Sequence, residues 1–266
     1  MFGSSINLKS GAEIALMREA GRLNAQTLEA VKAAIRPGVS TGELNEVAES
    51  FQRDHGVYSP FKNYDPGNGV PFPGSICTSI NEEMVHGIPG KRRLKEGDII
   101  SVDCGTVYEG FVGDSAFTVG VGEISEEAQR LIDVTKKALE IATALMVPGK
   151  RSGDVGAAIE AYVESFGFHS THTYTGHGVG REMHESPQLT NYGVPGQGFL
   201  LREGMTIAIE PMVLVGTRRT KTLRNQWTVV SVDGSLTAHQ ENTIAVTKEG
   251  PLVLTSLEPN LVNSER

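Results

Sequence analysis

Two aspartates, Asp103 and Asp114, lie in the stretch KEGDIISVDCGTVYEGFVGDSAFTVG from Lys95 to Gly120. Alternating branched residues, Ile99, Ile100 and Val102, lead to a turn signal at Tyr108-Glu109-Gly110, and Phe111, Val112, Phe117 and Val119 return from it, which predicts a β-hairpin. With the turn centred between Tyr108 and Glu109, the two carboxylates face each other across the strands. Like charges directly opposite, about 4.5–5.5 Å apart at Cβ, are destabilising. A shared proton or a cation must hold them together, and a hard divalent metal is the better fit.

More acids join this pair. Glu96-Gly97…Ser101-Val102-Asp103 recurs 107 residues later as Glu203-Gly204…Ala208-Ile209-Glu210, so Glu210 also ends a strand with a small residue two positions before it. A second hairpin is predicted from Gln226 to Val232 and from Leu236 to Val246 around Asp233-Gly234, and it carries Glu241. Ile100 and Val102, like Ile207 and Ile209, take the opposite strand face and should pack on helices, leaving the acids to line a central groove.

Seven histidines occur, in different settings. His177 lies in Thr175-Gly176-His177-Gly178-Val179-Gly180, where glycines let backbone and ligand approach closely. His184 stands in Met183-His184-Glu185-Ser186-Pro187, and His86 precedes Gly87 in a context like that of His177. These three are site candidates. Gln188 stands four residues after His184, so this is no helical HExxH and a zincin is excluded. His55, His169 and His172 read as structural or surface residues. His239 shares a strand face with Glu241; a structural role is the first reading and a place behind the ligands the second.

Four carboxylates and one imidazole make an oxygen-rich set, suited to paired Mn²⁺, Fe²⁺, Co²⁺ or Zn²⁺ rather than to a thiolate zinc site. Two such cations ~3.5–4 Å apart with one water between them lower its pKa and polarise a carbonyl, which predicts hydrolysis. Each acid alone is more readily a solvated strand-end charge; their joint pattern with the glycine-flanked histidine points to one groove.

The elements that position these residues repeat. Ser10 with Glu13 forms a capping box before a helix with Ile14, Met17, Gly21, Ala25, Leu28, Val31 and Ile35 on one face, stopped at Arg36-Pro37-Gly38. Ser40 with Glu43 starts a second helix, which ends near Gly56. Residues 57–75 are irregular, rich in glycine and proline, and long enough to suggest function. Ile76 to Ile80 reads as a strand. From Ser125 the pattern restarts with a helix through Leu145 stopped at Val147-Pro148-Gly149, then a helix through Val155, Ile159 and Val163 ended by Gly167. Pro37-Gly38…Thr41-Gly42-Glu43 matches Pro148-Gly149…Ser152-Gly153-Asp154. The expectation is an α+β fold of duplicated helix-helix-antiparallel-sheet halves, about 10–122 and 123–250, related by an approximate twofold axis within a single domain over 1–266.

The 266 residues carry a net charge of −8 with pI near 5.4, which argues against a large basic nucleic-acid surface; Arg218-Arg219-Thr220-Lys221 reads as a solvated loop. Two cysteines, Cys77 and Cys104, are too few for a disulfide framework. The first residues lack a secretory pattern, and no run approaches ~18 apolar residues. A soluble, cytoplasmic chain with no membrane partner is expected.

Across nearly its whole length the chain resembles the type I methionine aminopeptidases of peptidase family M24, whose duplicated architecture is the pita-bread fold. The resemblance is carried by Met17 to Arg22 (MREAGR), Arg36 to Thr41 (RPGVST), Ser79 to Pro89 (SINEEMVHGIP), the Asp103/Asp114 hairpin, Gly176 to Pro187 (GHGVGREMHESP), Thr206 to Met212 (TIAIEPM) and Glu241 to Ile244 (ENTI). Together these stretches are specific, whereas single motifs such as GHGxG are shared with prolidases and aminopeptidase P.

The resemblance implies two divalent ions, Co, Mn, Fe or Zn, held by Asp103, Asp114, His177, Glu210 and Glu241. It implies Glu210 as general base toward a bridging water, with His86 and His184 binding the peptide group and opposing the developing oxyanion. Phe72, Cys77, Met183 and Trp227 would receive the methionine side chain. The substrate implied is the N-terminus of a nascent polypeptide with a small second residue, whose free α-amine meets one metal, and the implied partners are nascent chains, with transient ribosome association open and a monomer expected. Gly69 stands where many relatives have tyrosine and Met183 where many have phenylalanine. Glu241 follows Glu210 by 31 positions, leaving no room for the type II insertion, and an amino-terminal zinc-binding extension is not expected. Two other readings are a proline-directed relative, which usually carries an extra amino-terminal domain, and a catalytically dead binding protein, which is expected to lose ligands.

Overall fold

The structure, a computed structural model, describes residues 6–258 and 260–261. Four α-helices occur among them. α1 (Gly11–Ala34) begins where the Ser10 hydroxyl accepts from the Glu13 N–H while the Glu13 carboxylate accepts from the Ser10 N–H, and α2 (Thr41–Asp54) begins with the same reciprocal pair, Ser40 and Glu43. α3 (Glu126–Ala144) is capped by Ser125. In α4 (Ser152–Glu164) Arg151 replaces the capping serine, and Asp154 accepts from the Arg151 N–H at 2.8 Å. Each such cap satisfies a backbone donor that would otherwise be orphaned, worth about 1 kcal/mol.

The first-half strands are β1 (Ile76–Ile80), β2 (Glu83–Val85), β3 (Ile99–Tyr108) and β4 (Phe111–Gly120). Those of the second half are β5 (His169–Ser170), β6 (Thr175–Gly178), β7 (Glu185–Thr190), β8 (Thr206–Ile209), β9 (Met212–Leu214), β10 (Thr220–Thr222), β11 (Val229–Ser231), β12 (Thr237–His239), β13 (Glu241–Thr247), β14 (Gly250–Val253) and β15 (Asn260–Leu261). An antiparallel sheet runs β1-β3-β4-β13-β8-β6-β7, with β14 and β15 continuing from β13. The order β1-β3-β4 is mirrored by β6-β8-β13, so the expected halves meet along the β4–β13 seam. Two smaller sheets, β10-β11-β2 and β12-β9-β5, complete the fold.

One face of the long sheet takes the helices, as the alternation predicts. Ile100 and Val102 pack with Leu28, Val31, Leu44 and Ala48 beneath α1 and α2, while Ile207 and Ile209 pack with Leu131, Ala138 and Ile159 beneath α3 and α4. Burying each large aliphatic side chain stabilises this layer by roughly 1.5–3 kcal/mol.

Two strand predictions are corrected. The β3–β4 hairpin turns one residue later than expected, because Glu109 and Gly110 adopt φ 49° and 75°, the two-residue turn whose twist matches the strands. Tyr108 therefore pairs with Phe111, Asp103 with Ala116 and Asp114 with Gly105. The aspartates share a face diagonally instead of facing each other. The second predicted hairpin does not form as such: Asp233-Gly234 is a turn, but β11 pairs with β10 and β2, β12 with β9, and β13 with β4 and β8. Glu241 reaches the groove because β13 bridges the halves. Arg218, read as solvated, pairs with Glu164 at 2.6 Å and Glu160 at 3.5 Å.

Candidate active site

The register places the acids in two adjacent rows on the face away from the helices. Asp103 pairs with Ala116 and Ala116 with Glu241; continued one residue past β8, the β13–β8 register sets Glu210 beside Glu241. In the next row Gly105 pairs with Asp114, Thr243 is hydrogen-bonded to Asp114, and Ala208 pairs with both Thr243 and His177. Ala116 and Ala208 are small and Gly105 lies under Pro60 and Phe61, so the side chains of Asp103, Asp114, His177, Glu210 and Glu241 come together above the rows. Donor atoms of Asp114, His177 and Glu241 lie within 4.8 Å of one another, as do those of Asp103, His239 and Glu241. Glu241 belongs to both groups.

This donor set fits divalent cations. Asp114 is 2% exposed and Glu241 3%, and Oδ1 of both Asp103 and Asp114 is buried with no hydrogen-bond partner among the described residues. Such orphaned oxygens are costly without a cation. Burial and mutual repulsion push Asp103, Glu210 and Glu241 well above the carboxylate range, and burial raises Asp114 to about 7. Divalent cations would remove the reason for those protons.

His177 is oriented for lone-pair donation. Its Nδ1 lies 3.0 Å from the Gly178 carbonyl, an acceptor only, so Nδ1 carries the proton and Nε2 faces Asp114 and Glu210, each at 3.7 Å. Burial, with His184 nearby, lowers its pKa to about 4. The His184 ring lies tilted at 59° against that of His177 with centroids 4.4 Å apart, and the Tyr64 hydroxyl lies 3.2 Å from its Nδ1. His86 is held at φ 60°, an unusual conformation for a residue with a side chain, and burial beside His184 lowers its pKa to about 4. Both rings are neutral at pH 7, each offering one N–H.

Beside the acids lies an apolar cavity. Phe72 and Cys77 are buried at its floor with Phe61, and Met183 and Trp227 close it. The Trp227 ring meets Phe72 edge-on at 5.1 Å, and its N–H donates to the Val70 carbonyl at 2.9 Å. Asp103, His86 and His184 line the same cavity, His177 and Glu210 line the adjoining cleft with both of those histidines, and Asp114 and Glu241 lie buried beside them. Gly69, by contrast, sits on an exposed turn at φ 75° outside the lining.

Some contributors escape sequence reasoning. Phe61, Tyr64 and Tyr174 line the cavity; the first two lie in the irregular stretch, whose path no periodicity reveals. His239, read first as structural, is 2% exposed with Nε2 3.6 Å from both Glu210 and Glu241. Its neighbourhood to Glu241 in sequence was the available signal. Lys9 forms a buried ion pair with Glu185 at 2.5 Å, and Glu185 also accepts from the Arg181 N–H, tying the loop that carries His184 to the start of the chain.

Residues 15–248 match the model of metallopeptidase family M24. The chain is 50% identical to the methionine aminopeptidase of Clostridium acetobutylicum over 95% of its own length and 100% of that protein. It is 49% identical to methionine aminopeptidase 1 of Bacillus subtilis, with 93% and 98% covered. The crystal structure of a methionine aminopeptidase from Thermotoga maritima superposes with a TM-score of 0.91 at 44% identity, covering 95% of this chain and 100% of that one. With its acids and histidine on the seam of a mirrored antiparallel sheet, this chain belongs to metallopeptidase family M24 and, within it, to the methionine aminopeptidases.

Proposed function

We propose that the chain releases the N-terminal methionine of polypeptides, nascent chains included, when the second residue is small, using two divalent cations held by Asp103, Asp114, His177, Glu210 and Glu241. The observation that carries this reading is the apolar cavity of Phe72, Cys77, Met183 and Trp227 opening directly on Asp103, with His86 and His184 on its rim. An unbranched thioether side chain suits such an aromatic, thiol-lined space. Bound cations would supply an activated water and a polarised carbonyl. Glu210, at the end of β8, takes and holds the proton from the attacking water; His86 and His184 offer N–H groups to the carbonyl oxygen as charge develops, an effect of roughly 10²–10³ in rate.

Competing peptides separate this reading from a proline-directed one. Methionine release from Met-Ala-Ser, with little from Met-Leu-Ser or Leu-Ala-Ser, is the expected result. Release of alanine from Ala-Pro-Ser in preference would overturn it.

A further inference from the structure

We propose that His239 is a nitrogen ligand for the cation on the Asp103 side of the groove, so that each of the two cation positions has its own imidazole. This rests on the proposed dinuclear reading of the site and extends its ligand set. His239 ends β12, paired with Met212 of β9, two residues before Glu241 begins β13, and its backbone is tied to the Thr118 side chain of β4: the His239 N–H donates to Thr118 Oγ1, which donates to the His239 carbonyl. That tie holds His239 against β4, beside the row of Asp103, Ala116 and Glu241.

The side chain is 2% exposed, and its Nε2 has no hydrogen-bond partner among the described residues. A buried imidazole nitrogen without a partner needs an explanation. Nε2 lies 3.6 Å from Oε2 of Glu210 and 3.6 Å from Oε2 of Glu241, and a donor atom of Asp103 completes a group within 4.8 Å. Those distances are too long for hydrogen bonds and near the separation of two donors that share one cation, each about 2.1 Å from it. On the other side of Glu241, Asp114 and His177 form the matching group. An added imidazole shifts that position from an all-oxygen site toward metals that favour nitrogen, Co²⁺ and Zn²⁺ over Mn²⁺.

The test counts imidazoles on the metal. Metal-stripped protein is loaded with two equivalents of Co²⁺, and solvent-exchangeable, hyperfine-shifted imidazole N–H signals are recorded by proton NMR in H₂O and D₂O, alongside Co²⁺ affinity by equilibrium dialysis. Wild type should show two such signals and His239→Gln one, with the weaker Co²⁺ affinity of the variant falling about tenfold or more. His177→Gln, as reference, should lose the other signal. One signal in wild type, or an unchanged count in His239→Gln even with weakened binding, would overturn the assignment and leave His239 a positioning residue. Wild-type protein that binds no Co²⁺ would instead overturn the reading of the site on which it rests.

Discussion

Asp114 is raised from 3.8 to about 7 by burial, so in the metal-free protein it holds a proton that the unfolded chain gives up. The sign follows from linkage. A group whose folded pKa is raised contributes stability fully present below its unfolded value and lost as pH rises through the folded one. The lowered histidines His86 and His177 act in the opposite sense, so the comparison is with Asp114→Asn, which shares them: the melting temperature of metal-free wild type relative to that variant should fall between about pH 5.5 and about pH 8, and Mn²⁺ or Co²⁺ should reverse the fall by binding the deprotonated acids. Calorimetry of both proteins at both pH values checks this; a difference that does not change with pH would count against it. At the same scale, Glu210→Gln should lower kcat by about 10²–10⁴. His184→Ala, which also frees the Tyr64 hydroxyl, should lower kcat more than it raises KM, as steady-state kinetics on Met-Ala-Ser would show. The aspartates and His177 were legible in the sequence because their spacing and glycine context are local. The weight of His239 was not, because an orphaned Nε2 is a property of packing.

Helix α1 meets strand β4 backbone to backbone. A Cβ on Gly113 would stand 2.6 Å from the Gly21 nitrogen and 2.7 Å from its Cα, neither of which can rotate away. Gly113→Ala should cost about 1–3 kcal/mol, a fall of several degrees in melting temperature, whereas Gly11→Ala, with nothing within 4 Å, should be neutral or slightly stabilising. Thermal melts of the two variants would decide it, and similar melting temperatures would refute the close approach. Lys9 and Glu185 are 6% and 9% exposed, and Lys9→Ala leaves the carboxylate only its backbone donors, the N–H groups of Arg181 and Glu182, so it should destabilise by about 1.5–3 kcal/mol. Activity should fall with it through the looser His184 loop, and measured kcat at a temperature where the variant is folded separates the two effects. The helices and their caps were readable from serine-glutamate pairs and apolar periodicity. The hairpin register was not, since one residue of turn placement depends on the positive φ of Glu109, and the strand after Asp233-Gly234 went to a partner that only the assembled sheet provides.

At the level of the whole molecule, duplication explains why one groove collects residues from distant parts of the chain. Each half delivers an acid, Asp103 in the middle of β3 instead of at the strand end its sequence suggested, and Glu210 just past β8, and the mirrored strand order sets them either side of β4 and β13, where Asp114 and Glu241 complete the rows. The repeat was visible in the recurring Pro-Gly and Glu-Gly motifs; the loop that walls the apolar cavity was visible only as irregular sequence. No described helix is long and apolar enough to cross a membrane. On the proposed function, these rows hold the cations needed for release of an N-terminal methionine. Metal-stripped protein, assayed for methionine release from Met-Ala-Ser before and after adding Mn²⁺ or Co²⁺, beside an Asp103→Ala variant carried through the same steps, tests it most directly. The account predicts no release without metal, recovery on adding it, and a loss of at least about 10²-fold in the variant. Full activity in the stripped protein, or undiminished activity in Asp103→Ala, would contradict it.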